Sequence, residues 1–308
     1  MQTQSLRQFW HKHSLTLFKR IIPGFLQPSN QFSSLLAKIT QGMLLSIFAM
    51  TQPNIIVISD YGINDPAFTE VILNIRNFLP NAFVYGQSTP PFSTLNTGFW
   101  IYQIALAENI KNTYIFSNTA PRKEQKSPQK NNKGEKLMYA RLKNGFEILA
   151  GNAKYTFSFV KHYIEKFHFV NVRNEGSQFR SRDFYPQSVM QMVNKDKNFL
   201  GVKGDLGSIP QVPKNTISSI DGYGNIKTTT RTSDISFKPG QTLTIEINKQ
   251  KHVATYTDGV FNILDGELAF APGSSGHNDR FMEVFVRGGS AYRLFDNPQT
   301  EEEFKIYT

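Results

Sequence analysis

Asn54-Ile55-Ile56-Val57-Ile58-Ser59 runs into Asp60-Tyr61-Gly62 and then, past Ile63-Asn64, into Asp65-Pro66. The first six residues are a nearly continuous β-branched run, the pattern of a strand buried on both faces. Asp65 has the side chain of an N-cap and Pro66 suits the first helical turn. Phe68, Val71, Ile72, Ile75 and Phe78 then recur at helical spacing, and Pro80 ends the helix. A second strand is expected over Ala82–Tyr85, a helix over Phe99–Glu108 and a third strand over Thr113–Ser117. Strands alternating with helices predict a parallel sheet with helices on its faces.

Outward from this core the grammar changes twice. Pro121–Gly134 is polar, basic and low in complexity, and reads as a loop inserted into the first domain. Strands follow over Leu137–Leu142 and Glu147–Leu149, then a helix over Thr156–Lys166 and an extended Phe169–Arg173. From about Asn215 short alternating runs appear: Ile217–Ile220, Thr242–Ile247, His252–Tyr256, Leu268–Phe270 and Phe281–Val286. These predict a smaller antiparallel β domain, a sandwich or a barrel, reached through the linker Gly201–Pro213. The organisation expected is a basic extension over 1–52, an α/β domain over 53–205 with a basic loop at 121–136, and a β-rich domain over 206–308.

The 308 residues suffice for two domains. There is no cysteine, which excludes disulfides, a thiolate nucleophile and zinc–thiolate sites. The formal charge is +10, concentrated in the N-terminal arm (Arg7, Lys12, Lys19, Arg20) and in the run Arg122–Lys136. Without aromatic–basic interleaving this reads as solvated surface rather than a nucleic-acid site. No stretch reaches the ~18–20 apolar residues of a membrane span. Gly42–Met50 (GMLLSIFAM) is either a packed helix or the core of an export signal, so a cytoplasmic protein is the expectation and export the alternative.

Four constellations carry polar chemistry. Asp60 follows the first strand, where ligands of open α/β sheets bind and where a carboxylate can accept both hydrogen bonds of a ribose diol. Asp65 beyond it is an N-cap or a partner for a ligand amine. Phe179-Arg180-Ser181-Arg182-Asp183 is a guanidinium–carboxylate pairing or a surface salt bridge. In Ile220-Asp221-Gly222-Tyr223-Gly224-Asn225, Asp221 and Asn225 either grip the two ends of an amino acid or close an ordinary hairpin turn. Ser274-Ser275-Gly276 and Phe281-Met282-Glu283-Val284, leading to Gly289-Ser290-Ala291, offer a strand edge and an aromatic residue beside a purine, or simply a terminal strand.

Taken in order, these markers resemble the S-adenosylmethionine hydroxide adenosyltransferase family, whose fold is shared with the fluorinase and chlorinase enzymes. Ser59-Asp60-Tyr61-Gly62 with Asp65-Pro66 stands where that family has T-D-F-G and D-P. Gln178–Asp183 stands for T-F-H-G-R-D, Ile220–Thr228 for I-D-x-F-G-N-x-x-T, and the Ser274–Ala291 segments for S-S-G-Y-L-E-I-A and G-S-A. The resemblance covers Pro53 to the C-terminus and implies a homotrimer with sites shared between one subunit's first domain and its neighbour's second. It implies attack of water (or halide) at the ribose C5′ of S-adenosylmethionine, which is the substrate, with no separate cofactor and no metal. By the same resemblance Asp60 holds the ribose diol, Asp221 and Asn225 the methionine end with Asp65 as helper, Tyr223 is a further substrate-binding residue, and Phe281 borders the adenine.

The catalytic positions depart from the family. The acid of D-P-G-V-G-x-x-R-R is matched by Asn118, which is no base, and its arginine by Arg122 at shortened spacing. The histidine of T-F-H-G-R-D is Arg180, which stays charged. The carboxylate of P-D-N-G falls in Gly151-Asn152-Ala153-Lys154 and is lost. Two functions follow: a hydrolase with an altered triad releasing adenosine and methionine, or a degenerate member that binds a nucleoside-type ligand without turnover. A secreted protein with a new substrate is the weaker third.

Overall fold

The computed structural model describes residues 52–108, 111–119, 128, 130–259 and 262–308. The basic extension, the apolar segment 42–50 and Arg122 lie outside them.

The opening strand β1 (Asn54–Ser59) has the predicted bounds. Ile55 and Val57 point into one apolar cluster and Ile58 into another, so both faces are covered. On one face lie α1 (Pro66–Phe78), through Phe68, Val71 and Ile75, and a later helix over Tyr185–Val193, through Val189 and Met192. On the other lies α2 (Thr94–Ala105), through Leu95, Phe99, Ile101 and Tyr102. Helix α2 starts earlier than its apolar spacing suggested, because Ser93 supplies an N-cap, accepting from the Asn96 amide at 3.3 Å.

The first sheet has seven strands. After β1 come β2 (Phe83–Ser88), β3 (Thr113–Asn118), β4 (Leu137–Leu142), β5 (Glu147–Gly151), β6 (Ile164–Val170) and β7 (Leu200–Lys203), in spatial order β2-β1-β3-β5-β4-β6-β7. The pairs β1–β2, β1–β3 and β3–β5 are parallel, whereas β4–β5, β4–β6 and β6–β7 are antiparallel. This corrects the expected parallel sheet to a mixed one.

A second correction concerns Thr156–Lys166. The chain makes a short 3-10 turn over Ser158–Tyr163 and then enters β6. Pairing of β6 with β4, from Met138↔Phe169 to Leu142↔Ile164, outweighs the local helical spacing. Around residue 180 the chain forms two helices, α3 (Arg180–Asp183) and α4 (Tyr185–Val193). The expected linker begins inside β7.

The second sheet also has seven strands: β8 (Ile217–Ile220), β9 (Ile226–Arg231), β10 (Thr242–Ile247), β11 (Gln250–Tyr256), β12 (Leu268–Pro272), β13 (Phe281–Val286) and β14 (Lys305–Tyr307). All its pairs are antiparallel except β11–β12. It curls until its edges meet: the Ile217 amide donates to the Glu302 carbonyl at 2.8 Å, and the Glu301 amide to the Ile217 carbonyl at 2.9 Å. Phe270, Met282, Phe295 and Phe304 fill the interior. A last helical turn, α5 (Ala291–Leu294), follows β13.

Residues 53–308 form one compact unit, and α2 carries the seam between the sheets. Glu301 accepts from the Leu95 amide at 3.0 Å at the N-terminal end of α2, where a carboxylate also opposes the helix dipole. Asn96 donates to the Ser218 carbonyl at 2.8 Å and Gln103 accepts from the Gly276 amide at 3.0 Å. Between these bonds Phe281 packs on Phe99, Tyr102 and Phe159 at centroid distances of 5.5, 5.7 and 5.7 Å. The seam is therefore an apolar core with hydrogen bonds at its margins. No helix among the described residues is long and apolar enough to cross a membrane.

Candidate functional site

The parallel register aligns Ser88, Ser59 and Asn118 in one row at the carboxyl ends of β2, β1 and β3. All three side chains bond within the protein. Ser59 donates to the Asn118 carbonyl at 2.6 Å, Ser88 to the Tyr61 carbonyl at 2.7 Å, and the Asn118 amide to the Tyr61 hydroxyl at 2.9 Å. The Tyr61 hydroxyl lies 2.5 Å from Ser181 Oγ, and its ring meets Phe68 and Phe179 edge-on. Burial raises the Tyr61 hydroxyl above its ordinary pKa, so at neutral pH it is a hydrogen-bonding alcohol rather than a base.

Asp60 stands half-buried just beyond this row and accepts from the Phe92 amide at 3.1 Å. Phe92 has a φ of 66°, in the left-handed region a bulky side chain avoids. The Asp60 carboxylate thus holds a backbone strained by ~1–3 kcal/mol. Strain clamped by a carboxylate at a strand's carboxyl end is an arrangement often found at ligand sites.

A cleft of about 310 Å³ opens at the same end of the sheet, between Gln87 and Ser88 of β2, Trp100 of α2, and Ser219, Ile220 and Tyr292 of the second sheet's side. Its volume is that of a small-molecule site. Of the motif residues singled out from the sequence, Ile220 lines it, but none of the candidate site side chains does. Trp100, Gln87 and Tyr292 went unnoticed because they belong to no motif, and only the fold brings them together.

The remaining sequence-picked residues fall as follows. Asp65 is exposed and caps α1, accepting from the Ala67 amide at 2.9 Å. Asp221 closes the β8–β9 hairpin, accepting from the Tyr223 and Asn225 amides at 3.0 Å each and from Asn225 Nδ2 at 3.1 Å, with Lys227 Nζ at 3.6 Å. Asp221 and Asn225 are therefore bonded to each other. Tyr223, at the hairpin tip, is 82% exposed. Phe281 is fully buried under the Arg231 guanidinium, 4.2 Å from its ring centroid.

Arg180 is bonded to the stretch that closes the basic run and not to the Ser88–Ser59–Asn118 row. It donates to the Glu135 carbonyl at 2.9 Å and to Asn174 Oδ1 at 2.7 Å. A Cβ on Gly134 would meet its guanidinium at 2.0 Å, so the backbone passes directly against it. Its neighbour Ser181, not Arg180, reaches the Tyr61–Asn118 group. Arg182 pairs with Glu70 at 2.8 Å and with Asp183 at 2.6 Å, holding the Asp183 carboxyl below its usual range.

No protein-family model matches the chain, and no curated protein matches it. Solved structures do. An uncharacterized conserved protein from Thermotoga maritima aligns over 82% of this chain and all of its own, with a TM-score of 0.65 and 16% identity. A conserved hypothetical protein from Thermus thermophilus aligns over 83% of this chain and all of its own, with a TM-score of 0.60 and 14% identity. At such identities the likeness is one of fold, a mixed α/β architecture with two seven-stranded sheets.

Proposed function

We propose that the chain binds a nucleoside-type ligand, S-adenosylmethionine first among them, at the carboxyl ends of β1, β2 and β3, and holds it without base-assisted hydrolysis. The observation that carries this reading is Asp60: a carboxylate beyond the central parallel strand, clamping a strained backbone beside a ligand-sized cleft. A carboxylate there suits a ribose diol.

The choice of holding over hydrolysis rests on the side chains in the catalytic positions. Asn118 carries no acid and spends its amide on Tyr61. Arg180 is bound to Glu135 and Asn174. Neither can take a proton from water at neutral pH. Hydrolysis remains the second reading for one chemical reason: a sulfonium is a good leaving group, and positioning alone lowers such a barrier.

In the same reading the site is completed in a homotrimer. Tyr223, rigidly presented by the Asp221 turn and 82% exposed, supplies an aromatic face to a neighbour's Asp60 end. The test is calorimetric titration of the full chain with S-adenosylmethionine and with adenosine, wild type beside Asp60→Asn and Tyr223→Ala. Saturable binding weakened by both variants at unchanged melting temperature is expected. No heat from either ligand, or binding indifferent to Asp60, overturns the proposal.

A further inference from the structure

A larger cavity of about 580 Å³ lies at the opposite end of the first sheet. Glu147 and Tyr114 sit at the amino ends of the parallel pair β3–β5, whereas Asp60 follows a carboxyl end. Two cross-strand rows make the cavity floor. Register places Glu147, Arg141 and Lys166 side by side across β5, β4 and β6. It places Tyr139, His168 and Lys203 side by side across β4, β6 and β7. Period-two alternation sends each row to one sheet face. Lys195, Asp196 and Lys197, just after α4, form a wall.

Five basic side chains (Arg141, Lys166, Lys195, Lys197, Lys203) meet three carboxylates in this lining, leaving two positive charges in excess. The carboxylates are engaged. Glu147, 7% exposed, accepts from the Tyr139 hydroxyl at 2.5 Å and from the Lys195 ammonium. Glu165 is 3.8 Å from Arg141. Asp196 accepts from the Asn198 amide at 2.9 Å and from Gln191 at 3.4 Å. Among the described residues, Lys166, Lys197 and Lys203 have no carboxylate partner. The His168 ring is oriented by its Nδ1, 3.2 Å from the Gly201 carbonyl; a carbonyl only accepts, so Nδ1 carries the hydrogen.

We propose that this cavity binds a small phosphorylated metabolite bearing at least two negative charges, with Lys166, Lys197 and Lys203 as its cationic contacts. Compact ammonium groups suit phosphate oxygens, and several around one concavity favour a multiply charged anion. The volume fits a small molecule. A nucleic-acid strand fits less well, because Glu165 and Asp196 interrupt the basic lining, and Tyr139 and Phe199 are too buried to stack on bases. The site is separate from the one proposed above and stands or falls independently.

The test is calorimetric titration of the full chain with inorganic pyrophosphate and with fructose 1,6-bisphosphate, at fixed salt. Wild type is compared with Lys166→Gln/Lys203→Gln and with a control pair on the second sheet's side, Lys238→Gln/Lys249→Gln. The expected result is saturable binding that the cavity pair weakens about tenfold or more and the control pair leaves unchanged, with melting temperatures alike. The tighter of the two probes tells free polyphosphate from a phosphate ester. No binding of either probe, or equal weakening by both variant pairs, overturns the proposal. So does a single-stranded oligonucleotide that binds through the same lysines when neither probe does.

Discussion

Phe281 separates a residue of the seam core from a residue that faces a ligand, and Phe281→Ala distinguishes them by stability alone. Truncation removes a fully buried ring that touches Phe99, Tyr102 and Phe159 and lies under the Arg231 guanidinium. Emptying a buried phenylalanine costs about 3–5 kcal/mol. A partly desolvated cation–π contact adds about 0.5–2 kcal/mol. These overlap, so a loss of about 5 kcal/mol is expected, comparable to the whole margin of some native domains. The melting temperature should fall by about 10–20 °C for a unit of this size. Urea unfolding of the ligand-free full chain, followed by circular dichroism, reads the loss directly. Phe281→Leu keeps most of the volume and should recover much of it. A loss below about 1 kcal/mol for Phe281→Ala refutes the packing argument, since only a residue outside the core is truncated so lightly.

Arg180→Met leaves the Glu135 carbonyl and Asn174 Oδ1 without their charged donor and should lower stability by about 2–3 kcal/mol in the same unfolding assay. Gly224→Ala should destabilise by at least about 2 kcal/mol: φ there is 83°, and the new Cβ would sit 2.0 Å from Ser290 Oγ. A neutral result would mean that the hairpin and Ser290 move apart freely. Burial pushes the Tyr185 hydroxyl up to about 12 from 10.0. The folded state therefore keeps a proton that the unfolded state loses. Stability from this group is intact below pH 10 and declines as the pH rises from 10 toward 12. Tyr185→Phe should flatten that alkaline decline in melts recorded across the window.

What could be read from the sequence was what local chemistry decides. The run Asn54–Ser59 is β-branched because helices cover both its faces, and Asp65 before Pro66 has the chemistry of a cap and is one. Strands β4, β8, β10 and β13 have their expected bounds for the same reason. The misreading of 156–166 arose where local and long-range preferences diverge. Ile164 and Phe167 suit a helical face, but β4 offers an unpaired edge for them to complete. Strand β9 (Ile226–Arg231) escaped notice because its middle is Lys-Thr-Thr-Thr, polar in type although Thr228, Thr229 and Thr230 are buried.

Site residues divide along the same line. Asp60 and Asp221 were visible because each follows a strand and precedes a glycine turn. Their partners were not, since Phe92 is thirty-two positions from Asp60 and Glu135 forty-five from Arg180. A charged side chain advertises its chemistry in the sequence, but only the fold says whether that chemistry is already spent. Arg180 and Asp221 are spent largely on backbone, whereas Lys166, Lys197 and Lys203 around the larger cavity have no carboxylate partner among the described residues.

The central claim is that Asp60 anchors a nucleoside ligand that the protein does not hydrolyse. The most direct measurement incubates the full chain with S-adenosylmethionine at high enzyme concentration and follows adenosine and methionine by chromatography, beside a protein-free control and Asp60→Asn. The account predicts that both products appear at the protein-free rate with wild type and variant alike. Adenosine and methionine released together by the wild type, and lost in Asp60→Asn, would contradict it and establish hydrolysis without the family's acid and histidine.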